Sequence, residues 1–252
     1  MAVAFDAVGP SSSGQVSTTT SISWTHTPAG TPTSVLVYFM VGLAGPGVSL
    51  STFSGVTYGS ASLSLLSTQE SGGTGTGYGG IFCFGTSSPP SGAQTVSATY
   101  GSSSGLQQII GISVSATGST GFGTPVPAYS ASSASGSLAV TGTTAGGLCV
   151  IGICDGSGGE SLTGPAGVAQ QWKNDYNGTS TSGNVIGGTV ASPGGTATFA
   201  WSQTSDAYGA IGVEVRAPSS TPGPPLDDAP VPVNIPVIVT GRAGWRNAGH
   251  SR

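Results

Sequence analysis

Val35-Leu36-Val37-Tyr38-Phe39-Met40-Val41 is an unbroken apolar run, rich in β-branched and aromatic side chains and too short for a buried helix. Successive side chains of a strand point to opposite sides, so a run that never alternates with polar residues reads as a strand covered on both faces. Cys149-Val150-Ile151-Gly152-Ile153-Cys154 has the same character. Both are expected to be central strands.

Outward from these runs the pattern changes. Ile22-Ser23-Trp24-Thr25 and Val96-Ser97-Ala98-Thr99-Tyr100 alternate, which places one face in the core and one in solvent. Further β-rich runs cover Ala2–Val8, Thr20–His26, Ser34–Leu43, Ser62–Thr68, Gly80–Gly85 and Gln94–Tyr100. Others cover Gln107–Ala116, Gly147–Cys154, Ala166–Tyr176, Thr196–Trp201 and Ala207–Val215. Gly, Ser and Pro punctuate them at the spacing of a sandwich or barrel. Val56-Thr57-Tyr58-Gly59-Ser60-Ala61-Ser62-Leu63 reads as a tight hairpin with Gly59 supplying a positive φ, and Pro89-Pro90-Ser91-Gly92 as a wide turn. No internal repeat points to a solenoid or propeller.

Composition agrees. Charged residues make up 6% of the 252 residues, against roughly 25% in an average protein, and helix-favouring stretches are missing. Hydrophobic residues still reach 37%, enough to build a core. The expected fold is all-β, a single jelly-roll-like antiparallel β-sandwich over residues 1–217.

After Ala217 the chain changes. Seven of the 17 prolines fall in Pro218–Arg252, so this segment is expected to be an extended tail that does not pack as a domain. Within it Val233–Thr240 is apolar enough to add as an edge strand on a neighbour. Val233, Ile235, Val237 and Val239 are the candidate assembly contacts, with Trp245 as an aromatic anchor and Arg242 and Arg246 drawn to acidic surface.

Charge divides at the same place. Asp6, Glu70, Asp155, Glu160, Asp175, Asp206 and Glu214 against Lys173 and Arg216 leave the body at −5, whereas the tail is +1. A body with so few bases cannot neutralise many phosphates, which excludes nucleic acid as a main partner. Cys149 and Cys154 lie about 16 Å apart along a strand at 3.3 Å per residue, beyond disulfide reach. With Cys83 they read as reduced core thiols. The start shows no signal-peptide pattern and no run is long enough to span a membrane, so synthesis in a host cytoplasm without membrane insertion is expected. Ser, Thr and Gly in such excess suit a protein that works outside cells. A virion component, assembled in the cytoplasm and released by lysis, satisfies both.

The stretch from Phe5 to Ala217 resembles a lectin-like jelly-roll domain of actinobacterial phages and secreted bacterial proteins. The resemblance rests on Ser21-Ile22-Ser23-Trp24-Thr25-His26-Thr27, Val56-Thr57-Tyr58-Gly59, Pro90-Ser91-Gly92-Ala93-Gln94-Thr95-Val96, Gln170-Gln171-Trp172 and Tyr208-Gly209-Ala210-Ile211-Gly212. It implies a phage virion structural protein, a minor tail or head-decoration protein, whose partners are other virion proteins and copies of itself.

No constellation argues for an enzyme, a cofactor or a bound metal. Gly101-Ser102-Ser103-Ser104-Gly105 matches the nucleophile-elbow pattern, but that motif needs a helix after it and a later acid and His, and the one later His is His250 in the tail. His26, beside Trp24, reads more strongly as a half-buried structural residue than as a ligand or base. Asp155-Gly156-Ser157-Gly158-Gly159-Glu160 offers two carboxylates to Ca²⁺ but lacks a fuller ligand ladder, and a solvated turn is the stronger reading. In Gln170-Gln171-Trp172-Lys173-Asn174-Asp175-Tyr176, the residues Trp172, Asn174 and Tyr176 are candidate contacts to a host surface glycan. The stronger reading makes Trp172 a packing residue of an amphipathic strand. The leading expectation is thus a non-enzymatic virion structural protein, and the alternative a carbohydrate-binding module or adhesin. Labelling of the denatured, unreduced chain should count three thiols; a count of one would mean that two of them pair.

Overall fold

A chain so poor in helix formers must satisfy its backbone between segments, and among the described residues the strands pair antiparallel. The computed structural model describes residues 2–10, 14–45, 48–73, 79–155, 161–163, 168–175 and 184–219, none of them helical. Among them no helix is long and apolar enough to cross a membrane. The chain divides into two units, Met1–Pro218 and Ser219–Arg252. Val233, Ile235, Val237, Val239, Arg242, Trp245 and Arg246 lie outside the described residues.

In chain order the strands are β1 (Ala4–Gly9), β2 (Gln15–Ser17), β3 (Ser21–His26), β4 (Ser34–Leu43), β5 (Phe53–Tyr58) and β6 (Ala61–Ser62). Next come β7 (Ser64–Glu70), β8 (Gly79–Thr86), β9 (Gln94–Tyr100), β10 (Leu106–Thr117), β11 (Gly121–Phe122) and β12 (Val126–Thr143). The last are β13 (Leu148–Asp155), β14 (Ser161–Thr163), β15 (Ala169–Asp175), β16 (Asn184–Ala191) and β17 (Gly195–Arg216).

They form three sheets. The central sheet has the order β1-β10-β4-β8-β7, with β2 also on β10; a second has β3-β9-β5-β6; a third has β11-β17-β13-β16-β15, with β12 and β14 also on β17. The alternation of β4 shows how they stack. Val35, Val37, Phe39 and Val41 face one core together with Ile22, Trp24, Phe53, Tyr58 and Val96 of the second sheet. Leu36, Tyr38 and Met40 face another core with Val150, Ile211, Val213 and Val215 of the third. The central sheet is therefore covered on both sides, as the apolar run of β4 requires. β13 repeats the arrangement: Leu148, Val150 and Cys154 face the central sheet, while Cys149, Ile151 and Ile153 face a further core with Leu138, Val140, Phe199 and Trp201.

That outer layer is a ribbon. β12 pairs with β17 from Val126↔Gly212 to Thr143↔Gly195, with register shifts at Ser130/Ser133 and Ser133/Ser135. The buried Gln203 fixes the ribbon at this irregularity, donating to the carbonyls of Ser133 and Asp206 and accepting from Trp201 Nε1. Thr196–Trp201 and Ala207–Val215, expected as separate strands, thus belong to one 22-residue strand. Ser62–Thr68, expected as one, is divided at Leu63. β12 and β16 have no counterpart among the runs that the sequence pattern marks as strands.

Glycine lets the layers close. Trp24 packs on Gly111 and Tyr38 on Gly152, while Trp172 and Trp201 cover their cross-strand partners Gly187 and Gly136. In each case an added Cβ would meet a ring atom at 2.6 Å or closer. Gly59, at φ 57°, turns β5 into β6 with Tyr58 paired to Ala61, the hairpin expected from sequence. All three cysteines are free and buried. Overpacking of this kind typically costs about 1–3 kcal/mol. Gly152→Ala, which drives a methyl group into Tyr38 and Ile81, should destabilise the body by about that amount in chemical denaturation; an unchanged midpoint would show that the sheets separate freely.

Candidate functional site

His26 closes β3, and its burial begins in the sequence of β10. There the residues facing the second sheet are Ile109, Gly111, Ser113 and Ser115, so the apolar pattern gives way to hydroxyls on one face. Trp24 fills the space above Gly111 and donates from Nε1 to Ser113 Oγ at 3.0 Å. His26 bridges the two hydroxyls, Nδ1 to Ser113 Oγ at 2.7 Å and Nε2 to Ser115 Oγ at 3.0 Å. Ser115 donates to Asp6 Oδ2 at 2.7 Å, and the other oxygen of that carboxylate accepts from the Gly30 backbone at 2.7 Å.

Proton bookkeeping fixes the ring. Burial pushes the pKa of His26 down to about 4, against a smaller opposing pull from Asp6, so the ring is neutral at pH 7. A carboxylate can only accept, so the Ser115 proton goes to Asp6, His26 Nε2 donates to Ser115, and Nδ1 accepts from Ser113. The Gly9 carbonyl, 3.1 Å from Ser113 Oγ, competes for that last proton. Tyr58 packs edge-on at 5.6 Å, and burial raises its pKa to about 12.

Asp, Ser and His in sequence is a catalytic vocabulary, but this set is sealed. His26 is 0% exposed, deeper than the half-buried position expected, because Ser113 and Ser115 supply partners that let an imidazole enter the core. Its geometry rivets β3 of one sheet to β10 and β1 of the next.

The other candidates fall apart in space. Trp172 is 1% exposed, packed on Gly187 and 5.9 Å from the Tyr38 ring, so it offers no face to a sugar. Asn174 is part-buried further along β15, and Tyr176 lies outside the described residues. Gly101–Gly105 is the turn between β9 and β10, and it leads into a strand rather than a helix. Asp155 is buried at the end of β13, while Gly156–Glu160 lies outside the described residues. Among the described residues no three His, Cys, Asp or Glu side chains gather to hold a metal. Burial raises the thiols of Cys83 and Cys154 to about 12 and that of Cys149 to about 11, which keeps them protonated and unreactive.

Sequence reasoning missed two features. Glu214 is buried on β17, where it accepts from the Thr144 backbone, from Ser192 Oγ at 3.3 Å and from Arg216 Nε at 3.4 Å. It ties the β12–β13 turn to the end of β16. On the outer face of the second sheet, a depression of about 280 Å³ is lined by Ser21, Ile22, Ser23, Gly55, Ser97, Ala98 and Thr99, where β5 bulges against β9. Its rim is hydroxyl and uncharged. Comparison with protein-family models, with curated proteins and with solved structures finds no match.

The His26 network gives stability a pH dependence. Unfolded, the ring takes up its proton near 6.5; folded, only near 4. The unfolded state therefore binds more protons between those values, and stability falls as pH drops through that window by on the order of 3 kcal/mol. Denaturant melts at pH 7 and pH 4.5 should show this loss in the native chain. In a His26→Gln chain, less stable throughout, that step should be missing.

Proposed function

We propose that this chain is a non-enzymatic structural component of a phage virion, a minor tail or head-decoration protein displayed on the particle and attached through residues 218–252. The observation that carries this reading is the state of the cysteines. Three unpaired thiols sit in the core of a body rich in Ser, Thr and Gly that contains a single lysine. Unpaired core thiols suit a chain that folds in a reducing compartment, whereas disulfides mark small proteins exported to fold. The composition suits work outside the cell. A particle built in the cytoplasm and freed by lysis reconciles them.

The fold supports display as well. Among the described residues, the buried His26 and Glu214 are spent on joining sheets and turns. We further read residues 4–117 as the jelly roll. In favour of this is the strand order, β1-β10-β4-β8 in one sheet opposite β3-β9-β5-β6 in the other, which is how a long hairpin wound through two Greek keys arranges eight strands. The third sheet, from 121 to 216, is then an added layer on its back.

The test is particle incorporation. Immunogold labelling of purified virions should decorate the particle at a fixed location. A chain lacking residues 218–252 should keep its β spectrum yet incorporate at least tenfold less. Antigen confined to the soluble lysate would overturn the reading, and so would normal incorporation of the shortened chain.

A further inference from the structure

β12 is the longest strand with an open edge among the described residues. It pairs with β17 on one side, and no second described strand pairs with it. Its 18 residues, Val-Pro-Ala-Tyr-Ser-Ala-Ser-Ser-Ala-Ser-Gly-Ser-Leu-Ala-Val-Thr-Gly-Thr, contain no charged side chain. Long open edges are templates for further strands, and proteins usually blunt them with charge. The edge strands β7 and β15 carry Glu70 and Lys173. β12 carries no charge; Pro127 and the register shifts between Ser130 and Ser135 blunt its first half, and Ser135 to Thr141 stays in regular register. Tyr129, 57% exposed, leans over Gly73, and beyond it Ala131, Ser132, Ala134, Ser135 and Ser137 are small, leaving the backbone reachable.

The tail sequence has a complementary asymmetry. In an extended strand each residue directs both its N–H and its C=O to one edge, and its neighbours direct theirs to the other. Pro230, Pro232 and Pro236 all fall on even positions, so the missing donors would share one edge. Val231, Val233, Ile235, Val237 and Val239 occupy the odd positions, each with an N–H and each β-branched. Such a segment can pair along one edge and not along the other. Pro is tolerated in a sheet on that outward side.

We infer that the open edge of β12, from Ala131 on, is the acceptor for residues 231–239 of a second copy of this chain. This rests on the reading of residues 218–252 as the attachment element. The odd residues complete the β12 ladder by strand addition, the mode in which backbone pairing gives affinity and alternate side chains give specificity. Their β-branched side chains extend the buried apolar layer to which Leu138 and Val140 belong, and the prolines end the sheet so that no further copy adds at that edge.

Adjacent proline substitutions in the full-length chain test the parity. Ile235→Pro removes a donor from the pairing edge and should weaken self-association in sedimentation velocity at least tenfold. Asn234→Pro adds a proline to the blocked edge and should leave it within twofold. The Ala131→Lys, Ala134→Lys chain should lose association like Ile235→Pro, and hydrogen exchange of β12 amides should slow in the associated wild-type chain. Equal behaviour of the two proline variants overturns the inference. So does a chain that stays monomeric at every concentration, or β12 protection independent of concentration, which would mean docking within one copy. If deleting residues 218–252 abolishes incorporation while the double-lysine chain incorporates normally, the attachment reading stands and the β12 assignment falls.

Discussion

Everything in the body hangs on one sheet being buried from both sides. β4 cannot turn a polar face to water, because Val35, Val37, Phe39 and Val41 occupy one side and Leu36, Tyr38 and Met40 the other. Each such side chain gains about 1.5–3 kcal/mol by leaving water, so exposing either face would forfeit several of those gains together. The second and third sheets are the two covers this demands. β13 passes the same demand outward, and the ribbon of β12 and β17 is the cover for its far side.

Stacking so many layers raises a problem of thickness. Aromatic side chains are too large to stand between sheets at every position, and the chain answers by setting glycine beneath four of the largest: Trp24, Tyr38, Trp172 and Trp201. Each ring then fills the slot a missing side chain leaves, which keeps the interior near the density of a molecular crystal. The polar groups gathered around His26 bring their partners with them. The chain from Trp24 through Ser113, His26 and Ser115 to Asp6 satisfies itself by hydroxyl relays. Hydroxyls paired in this way, and glycines set beneath rings, let so large a fraction of Ser and Gly coexist with a closed core.

The apolar grammar is readable from the sequence. The bounds expected for β4 and β9 match the structure, as do the alternation of β3, the turn at Gly59 and the burial of the cysteines. The elements that escape such a reading are written in small residues. β16 contains Gly187-Gly188, which reads as a turn until Trp172 is seen lying on Gly187. β12 is mostly Ser, Ala and Gly, whose propensity says little, and it is a strand because β17 holds it. His26 lies deeper than its neighbours in sequence suggest because its partners, Ser113 and Ser115, are 87 and 89 residues away and announce themselves by nothing local. Long-range pairing decides each of these cases, and no window of sequence contains it.

The order of the layers along the chain also has a meaning in time. Residues 4–117 supply the central and second sheets, and residues 121–216 supply the third with its ribbon. A nascent chain can therefore finish its first two sheets while the cover for Leu36, Tyr38, Met40, Ile81, Ile110, Ile112 and Val114 is still being translated. For that interval the half-made protein carries a broad oily surface, the kind that draws chaperones or another unfinished copy. Crowded translation of many copies at once, as in a cell given over to one product, is where that interval matters most.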